Sequence, residues 1–205
     1  MRQLSALAES SPTQQLPQAD RETLSLMREE EKLAHDVYVT LHESWDLLPL
    51  ANIPWAESRH MEAVRLLLDR YGVADPVSDM TVGVFQDQEL QELYNRLIAQ
   101  GRQSIDEAIK VGAFIEERNI ADLRRRLAET ENEDLRSVYA NLLRGSRNHL
   151  RAFARQLGRH DTAYEAKHLS QEEFDRIAAS DHERGWMMGS ANPSSSASSM
   201  PDDRP

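Results

Sequence analysis

The chain of 205 residues contains no cysteine, which removes disulfides, thiolate metal sites and cysteine nucleophiles together and leaves the redox compartment open. Any metal it binds must therefore be held by carboxylate and imidazole. Long apolar runs are missing too. Nothing approaches the roughly 18–20 consecutive apolar residues of a membrane helix, and the segment up to Gln18 has no apolar stretch of the kind a secretory signal needs. A cytoplasmic protein is expected. Glycine and proline are scarce, eight of each, and collect in the tails and connections instead of punctuating strands. Basic residues are outnumbered, 24 Lys and Arg against 35 Asp and Glu, a formal charge of −11. Without clustered Lys and Arg there is little counterion release to gain from nucleic acid and little attraction to an anionic membrane. The triplet Arg124-Arg125-Arg126 is offset by neighbouring acids and reads as a solvated helix face.

What the sequence does have is helical periodicity. Residues 1–19 are rich in Ser, Gln and Pro and read as a flexible arm; residues 189–205, with Asn192-Pro193-Ser194-Ser195-Ser196, read as a disordered tail. Between them an all-α domain is expected over 20–160, followed by a C-terminal extension over 161–188. The first helix is expected from an Asp20 cap to about Trp45, with the stripe Leu24, Met27, Glu31, Ala34, Tyr38 and Leu41. The second should open at Asn52-Ile53-Pro54 and stop at Gly72, with Ile53, Glu57, His60, Val64, Leu67 and Tyr71 on its inner face. A connection over 73–86 and a short amphipathic helix ending at Gly101 then carry the chain across the bundle. The third main helix opens with a capping box, Ser104 to Glu107, and aligns Ile105, Ile109, Gly112, Glu116, Ile120, Leu123 and Leu127. The fourth follows a second box, Thr130 to Glu133, and runs to Leu157 before Gly158, with Leu135, Val138, Leu142, His149 and Phe153 inward. Ser170 opens a last short helix that packs outside as a buttress.

Glu or His thus interrupts the apolar seam of each main helix. Any one of them alone is an ordinary hydrogen-bonded core residue. Together they ask for a positive charge between them, because an unpartnered buried carboxylate costs several kcal/mol or shifts its pKa upward. Glu57-Ser58-Arg59-His60 is the most informative stretch, since residues three apart on a helix face the same way and can offer a carboxylate oxygen and an imidazole nitrogen to one metal. Di-metal carboxylate bundles use one Glu from each of two helices and an E-x-x-H pair from each of the other two. The candidate ligands are Glu31, Glu57, His60, Glu116 and His149. Three residues before His149 stands Ser146, where a fourth carboxylate would be expected.

Arg28-Glu29-Glu30-Glu31-Lys32-Leu33-Ala34, Glu57-Ser58-Arg59-His60-Met61, Asn119-Ile120-Ala121-Asp122-Leu123 and Gly145-Ser146-Arg147-Asn148-His149-Leu150-Arg151-Ala152-Phe153 together resemble the ferritin-like superfamily. Rubrerythrins belong to it, and the likeness is strongest to a microbial ferritin-like domain family of unknown function. It covers about Leu24 to Ile177. It implies a ferritin-like four-helix bundle with a crossover connection and a metal centre of one or two ions, iron (Fe2+/Fe3+) or manganese. Glu31 resembles a first-helix ligand and Glu57 with His60 the second-helix pair. With Ser146 in place of Glu, the three carboxylates fall short of the charge on two divalent ions, so Asp122, Glu117, Glu30 or the amide of Asn119 would have to contribute, or the second metal would be weak. A single site of Glu31, Glu57 and His60, with or without Glu116, suits Fe, Mn or Zn by ligand type.

Tyr38 and Tyr139 are candidates to lie near such a centre, and ordinary core positions explain them as well. His35 reads as a partly exposed side chain, His160, His168 and His182 as incidental, and Trp45 and Trp55 as caps on the bundle end. The function expected is an oxidoreductase, a non-haem di-iron oxidase or peroxidase acting with O2 or peroxide, electrons arriving from elsewhere because no Cys-based module is present. The alternative is a non-catalytic helical module with a structural metal or polar core that binds a protein partner. No nucleic acid or membrane partner is expected, and a homodimer is left open.

Overall fold

In the computed structural model, which describes residues 15–184, all regular structure is helical and no strand is present among those residues. Six helices follow one another: α1 Gln18–His42, α2 Leu48–Tyr71, α3 Gln88–Gly101, α4 Ile105–Glu129, α5 Glu133–Arg159 and α6 Gln171–Ala179. None is long and apolar enough to cross a membrane. The expected tail over 189–205 and most of the expected arm lie outside the described residues. The end of that arm belongs to the fold, however, since Leu16 is buried and α1 already begins at Gln18.

Helix ends follow local chemistry, with several shifts from the sequence-based expectation. Asp20 does not cap α1; its carboxylate accepts from Thr130 Oγ1 at 3.0 Å, tying α1 to the α4–α5 turn. Three residues at the far end fall outside α1, which stops at His42, and Trp45 instead donates from its indole to Gly101 O at 2.8 Å. α2 starts at Leu48, earlier than Asn52, because Pro49 already fills the first-turn position and Pro54 is accommodated within the helix. Gly72 ends it in the left-handed region, φ 62°, a conformation that strains any residue with a Cβ. Ser104 caps α4 by accepting from the Glu107 amide, but the Glu107 carboxylate turns to Gln100 and Lys110, so the box is not reciprocal. α5 is capped by Asn132, not by Thr130. It runs through Gly158 to Arg159, and the chain turns where Asp161 takes φ 51°, a conformation Asp tolerates better than most residues. Ser170 caps α6 as expected. Trp55 does not cap anything: it is exposed, with Arg59 stacked over its ring.

The helix directions follow from contacts at their ends. Arg126 donates to Thr23 O at 2.8 Å, so the end of α4 meets the start of α1. Arg70 pairs with Asp134 at 2.8 Å and Tyr71 donates to the same carboxylate, so the end of α2 meets the start of α5. Arg21 reaches Gly72 O, which brings the end of α2 to the start of α1 as well. α2 and α4 therefore run parallel, and residues 72–104 must travel the length of the molecule to join them. α3 does so while packed on α1 and α4. The four long helices close a ring in the order α1, α2, α5, α4, and α6 lies against α5. Inside the ring, Leu24, Leu41, Leu67, Ile109, Ile120, Leu135 and Phe153 are fully or almost fully buried in one continuous core.

Candidate metal centre

Each long helix carries its seam residue to the middle of this core. On α1, Glu31 lies between Met27 and Ala34, all three buried, as the 3–4 spacing requires. On α2, Glu57 is 1% exposed, and His60, one turn on, points the same way. α4 contributes Glu116, which has no exposure at all, and α5 contributes His149. All five predicted ligands are thus brought together. One ligand atom each from Glu31, Glu57 and His60 lie within 4.8 Å of one another, and so do one each from Glu57, Glu116 and His149.

Glu57 belongs to both groups through different oxygens. Its Oε2 is 2.9 Å from His60 Nδ1, and its Oε1 is 2.8 Å from His149 Nδ1. Glu31 Oε2 lies 3.2 Å from His60 Nδ1, and Glu116 Oε1 lies 3.4 Å from His149 Nδ1. The two rings stack at 5.8 Å. Tyr38, fully buried on α1, donates to Glu116 Oε1 at 2.6 Å.

The two halves differ in how their polar atoms are satisfied. His60 meets Glu57 and Glu31 in hydrogen-bond geometry. Glu57 Oε1, Glu116 Oε2 and His149 Nδ1 are buried with no hydrogen-bond partner, although Glu57 Oε1 and His149 Nδ1 are close. Buried polar atoms left without a hydrogen bond are rare because each costs on the order of 1–3 kcal/mol. Atoms that converge without donating to one another are what a cation would require of its ligands. Carboxylate with imidazole is also a donor set that suits iron, manganese or zinc, so the residues present fit a divalent metal.

Electrostatics point the same way. Burial pushes the Glu31 carboxyl up to about 7, against the pull of His60. Burial also raises Glu116, with His149 opposing. Glu57 would rise for the same reason, but the two histidines hold it well below the usual carboxylate range. Desolvation should lower both imidazoles; instead Glu57 and Glu31 carry His60 up to about 10, and Glu57 and Glu116 carry His149 well above its ordinary value. Burial and then Glu116 raise the Tyr38 phenol. The carboxylates thus favour positive charge at this centre, which either protons on the imidazoles or a bound metal would supply.

Other candidates from the sequence have separate partners. Glu30 pairs with Arg126 at 2.7 Å and Arg118 at 2.9 Å. Glu117 accepts from Tyr164 Oη and the Lys167 amide, both at 2.7 Å. Asp122 pairs with Arg125. None of the three is in either ligand group. Asn119 and Ser146 are buried, on α4 and α5. Tyr139 is buried away from the ligands, where Arg126, Asp20 and Glu30 are the charges that act on it. His35 bonds Asp36, His160 faces Asp106, and His168 packs on Phe114.

Sequence reasoning missed the role of Gly145. A Cβ there would fall 2.6 Å from His60 Cε1, so only glycine lets α5 approach the imidazole of α2 this closely. It also missed the support of the Glu31 turn. At about 100° per residue, three consecutive glutamates cannot share a face, and Glu29 accepts from the Gln86 and Asp87 amides while Glu30 meets its arginines and Glu31 enters the centre. Lys32, 1% exposed, bonds Asp36, Thr81 O and Val84 O, and Asp36 accepts from the Gly83 amide.

Known proteins agree with this architecture without supplying a function. Residues 20–181 match the model of the family described as "Uncharacterized protein domain (DUF2202)". Uncharacterized protein MJ0754 of Methanocaldococcus jannaschii is 46% identical over 176 residues, covering 86% of this chain and 95% of that protein. The crystal structure of hypothetical protein MJ0754 from Methanococcus jannaschii superimposes with a TM-score of 0.82 at 44% identity, over 85% of this chain and 100% of that one. The chain belongs to the DUF2202 family.

Proposed function

We propose that this chain is a ferritin-like four-helix bundle, α3 forming its crossover, and that it binds one or two iron or manganese ions and acts as an oxidoreductase with O2 or peroxide. The observation that carries this reading is the division of Glu57: one oxygen faces His60 and Glu31, the other His149 and Glu116. In this reading Glu57 is the shared ligand of two positions. Glu31 and His60 complete one, Glu116 and His149 the other. Each imidazole would bind through Nδ1, the nitrogen turned toward the carboxylates. Tyr38 holds Glu116 by Oε1 and leaves Oε2 without a hydrogen bond, which orients that carboxylate in advance. The carboxylates are at most 2% exposed while the His60 and His149 side chains are 17% and 12% exposed, so small molecules would enter at the histidine edge between α2 and α5. A bound metal pair would supply the electrons that reduce the oxidant.

The test is metal content per chain after anaerobic Fe(II) loading and desalting, followed by the visible spectrum on exposure to O2. Close to two irons with an oxygen-dependent band supports the reading; Glu57→Ala should lose both. A second reading has one specific observation in its favour: His60 meets Glu57 and Glu31 in good hydrogen-bond geometry, so a proton alone can hold that half together. In that case the cluster is a polar core of a partner-binding bundle. No metal uptake and no oxygen-dependent spectrum in the wild type would decide for it.

A further inference from the structure

Among the described residues, Leu48 and Trp55 are the large apolar side chains that a helix leaves exposed, at 66% and 69%. They stand two turns apart on one flank of α2, with exposed Asn52 between them and Arg59 over the Trp55 ring. At about 100° per residue, Leu48 and Trp55 lie about 40° and 60° around α2 from Arg70, and Arg70 pairs with Asp134 of α5. The flank therefore borders the edge between α2 and α5, where His60 and His149 keep some exposure.

The end of the described chain arrives at the same place. Glu173 pairs with Arg124 of α4, Ser180 accepts from Arg151 on α5, and Glu183 exchanges backbone bonds with the Asn148 amide at 2.9 and 3.0 Å. Asn148 lies about 40° around α5 from Asp134, so the chain has crossed the outside of α5 from the α4 side to the α2 side. The height matches as well. α2 and α5 are antiparallel, with Gly145 against His60, so Asn148 comes level with Glu57 and Arg151 with Pro54, and Trp55 falls between them. Exposed Arg184 follows, and the next residues are Gly185-Trp186-Met187-Met188, the one apolar run in residues 185–205.

We propose that Trp186, Met187 and Met188 of the same chain seat on this flank of α2, covering Leu48 and Trp55 and narrowing the histidine edge between α2 and α5. Residues 185–188 reach about 13 Å when extended, more than the roughly 8–10 Å between the axes of packed helices. An indole and two thioethers are suited to cover an exposed indole, since aromatic and sulfur–aromatic contacts both add to the gain from burial. The Glu183 anchor holds the segment beside the flank at an effective concentration on the order of millimolar, which favours it over a second copy of the chain.

The test uses the absence of cysteine, which makes an introduced thiol unique. In the full chain carrying Asn52→Cys, without added metal, the thiol should react with DTNB slowly and at a rate independent of protein concentration. Adding Trp186→Ser, Met187→Ser and Met188→Ser, which alter none of the six helices, should speed the reaction by roughly tenfold or more, the factor expected if the open state is populated at about 10% or less. Trp55→Ser should release the thiol in the same way. Equally fast reaction with and without the three C-terminal substitutions would overturn the proposal. Equally slow reaction in both would overturn it too, and relief of that protection on dilution, with a dimer in sedimentation velocity, would assign the flank to a second copy. Neither result touches the metal reading.

Discussion

Glu57 and Gly145 show how much of the centre rests on single residues. Glu57 supplies an oxygen to each ligand group, so Glu57→Ala should abolish both metal positions, whereas Glu31→Ala should spare the one completed by Glu116 and His149. Elemental analysis of the loaded variants separates these outcomes. Gly145→Ala would press a methyl group on the His60 ring, and the expected result is loss of the Glu31–Glu57–His60 position with the helical content unchanged by circular dichroism. The five candidate ligands were legible in the sequence because a Glu or His on an apolar seam is an anomaly that spacing alone exposes. The division of Glu57's oxygens was not, since it depends on where α1, α4 and α5 lie around α2. The burial of the whole Glu29-Glu30-Glu31-Lys32 run was not legible either. Consecutive charges on a helix suggest solvent, and here every one is buried because partners from the 72–87 connection and α4 meet it on three sides.

Among the elements, α1 and α4 are joined by the buried Glu30–Arg126 pair, with Arg118 as a second partner. Arg126→Met should destabilise the fold by roughly 3–5 kcal/mol in urea titration, because it leaves a buried carboxylate with half its compensation. α5 is held to the segment after α6 by Glu183, whose carboxylate pairs with Arg147 and Arg151 while its backbone bonds the Asn148 amide in both directions. The Arg147 guanidinium, then Arg151, depress the Glu183 carboxyl to about 2. A depressed acid stabilises the folded state fully above its unfolded value, about 4.3, and that contribution fades as pH falls through about 2. The melting-temperature gap between wild type and Glu183→Gln should therefore be constant near neutrality and close below about pH 4. Helix boundaries were less legible than helices: Pro54 looked like a start because proline usually stands in the first turn, but Pro49 had already taken that place.

For the molecule as a whole, the proposed metal binding would be linked to folding. An ion that binds only the folded ring of helices, present at a hundred times its dissociation constant, adds about 2.7 kcal/mol to stability. Mn(II) or Fe(II) should thus raise the melting temperature and EDTA should reverse the rise; an unchanged melting temperature would argue for the proton-held core. The gain should vanish in Glu57→Ala. The parallel run of α2 and α4 also has a consequence at this scale. Residues 72–104 join the end of α2 to the start of α4 and are docked on α1 by Glu29, Arg28 and Lys32, so the connection is tied to the turn that carries Glu31.

The sequence by itself determined that the chain is helical, where its four inner faces run and which polar residues interrupt them. Those properties follow from spacing, and spacing is local: a stripe every three or four residues faces one way whatever lies opposite. Only the tertiary structure decided that the four interruptions meet at one depth, that Glu57 is shared between two groups, and that Glu30, Glu117 and Asp122 are turned away to other partners. Those properties depend on helix direction and on the relative height of helices joined by a long connection. Neither is encoded in the periodicity of any single helix.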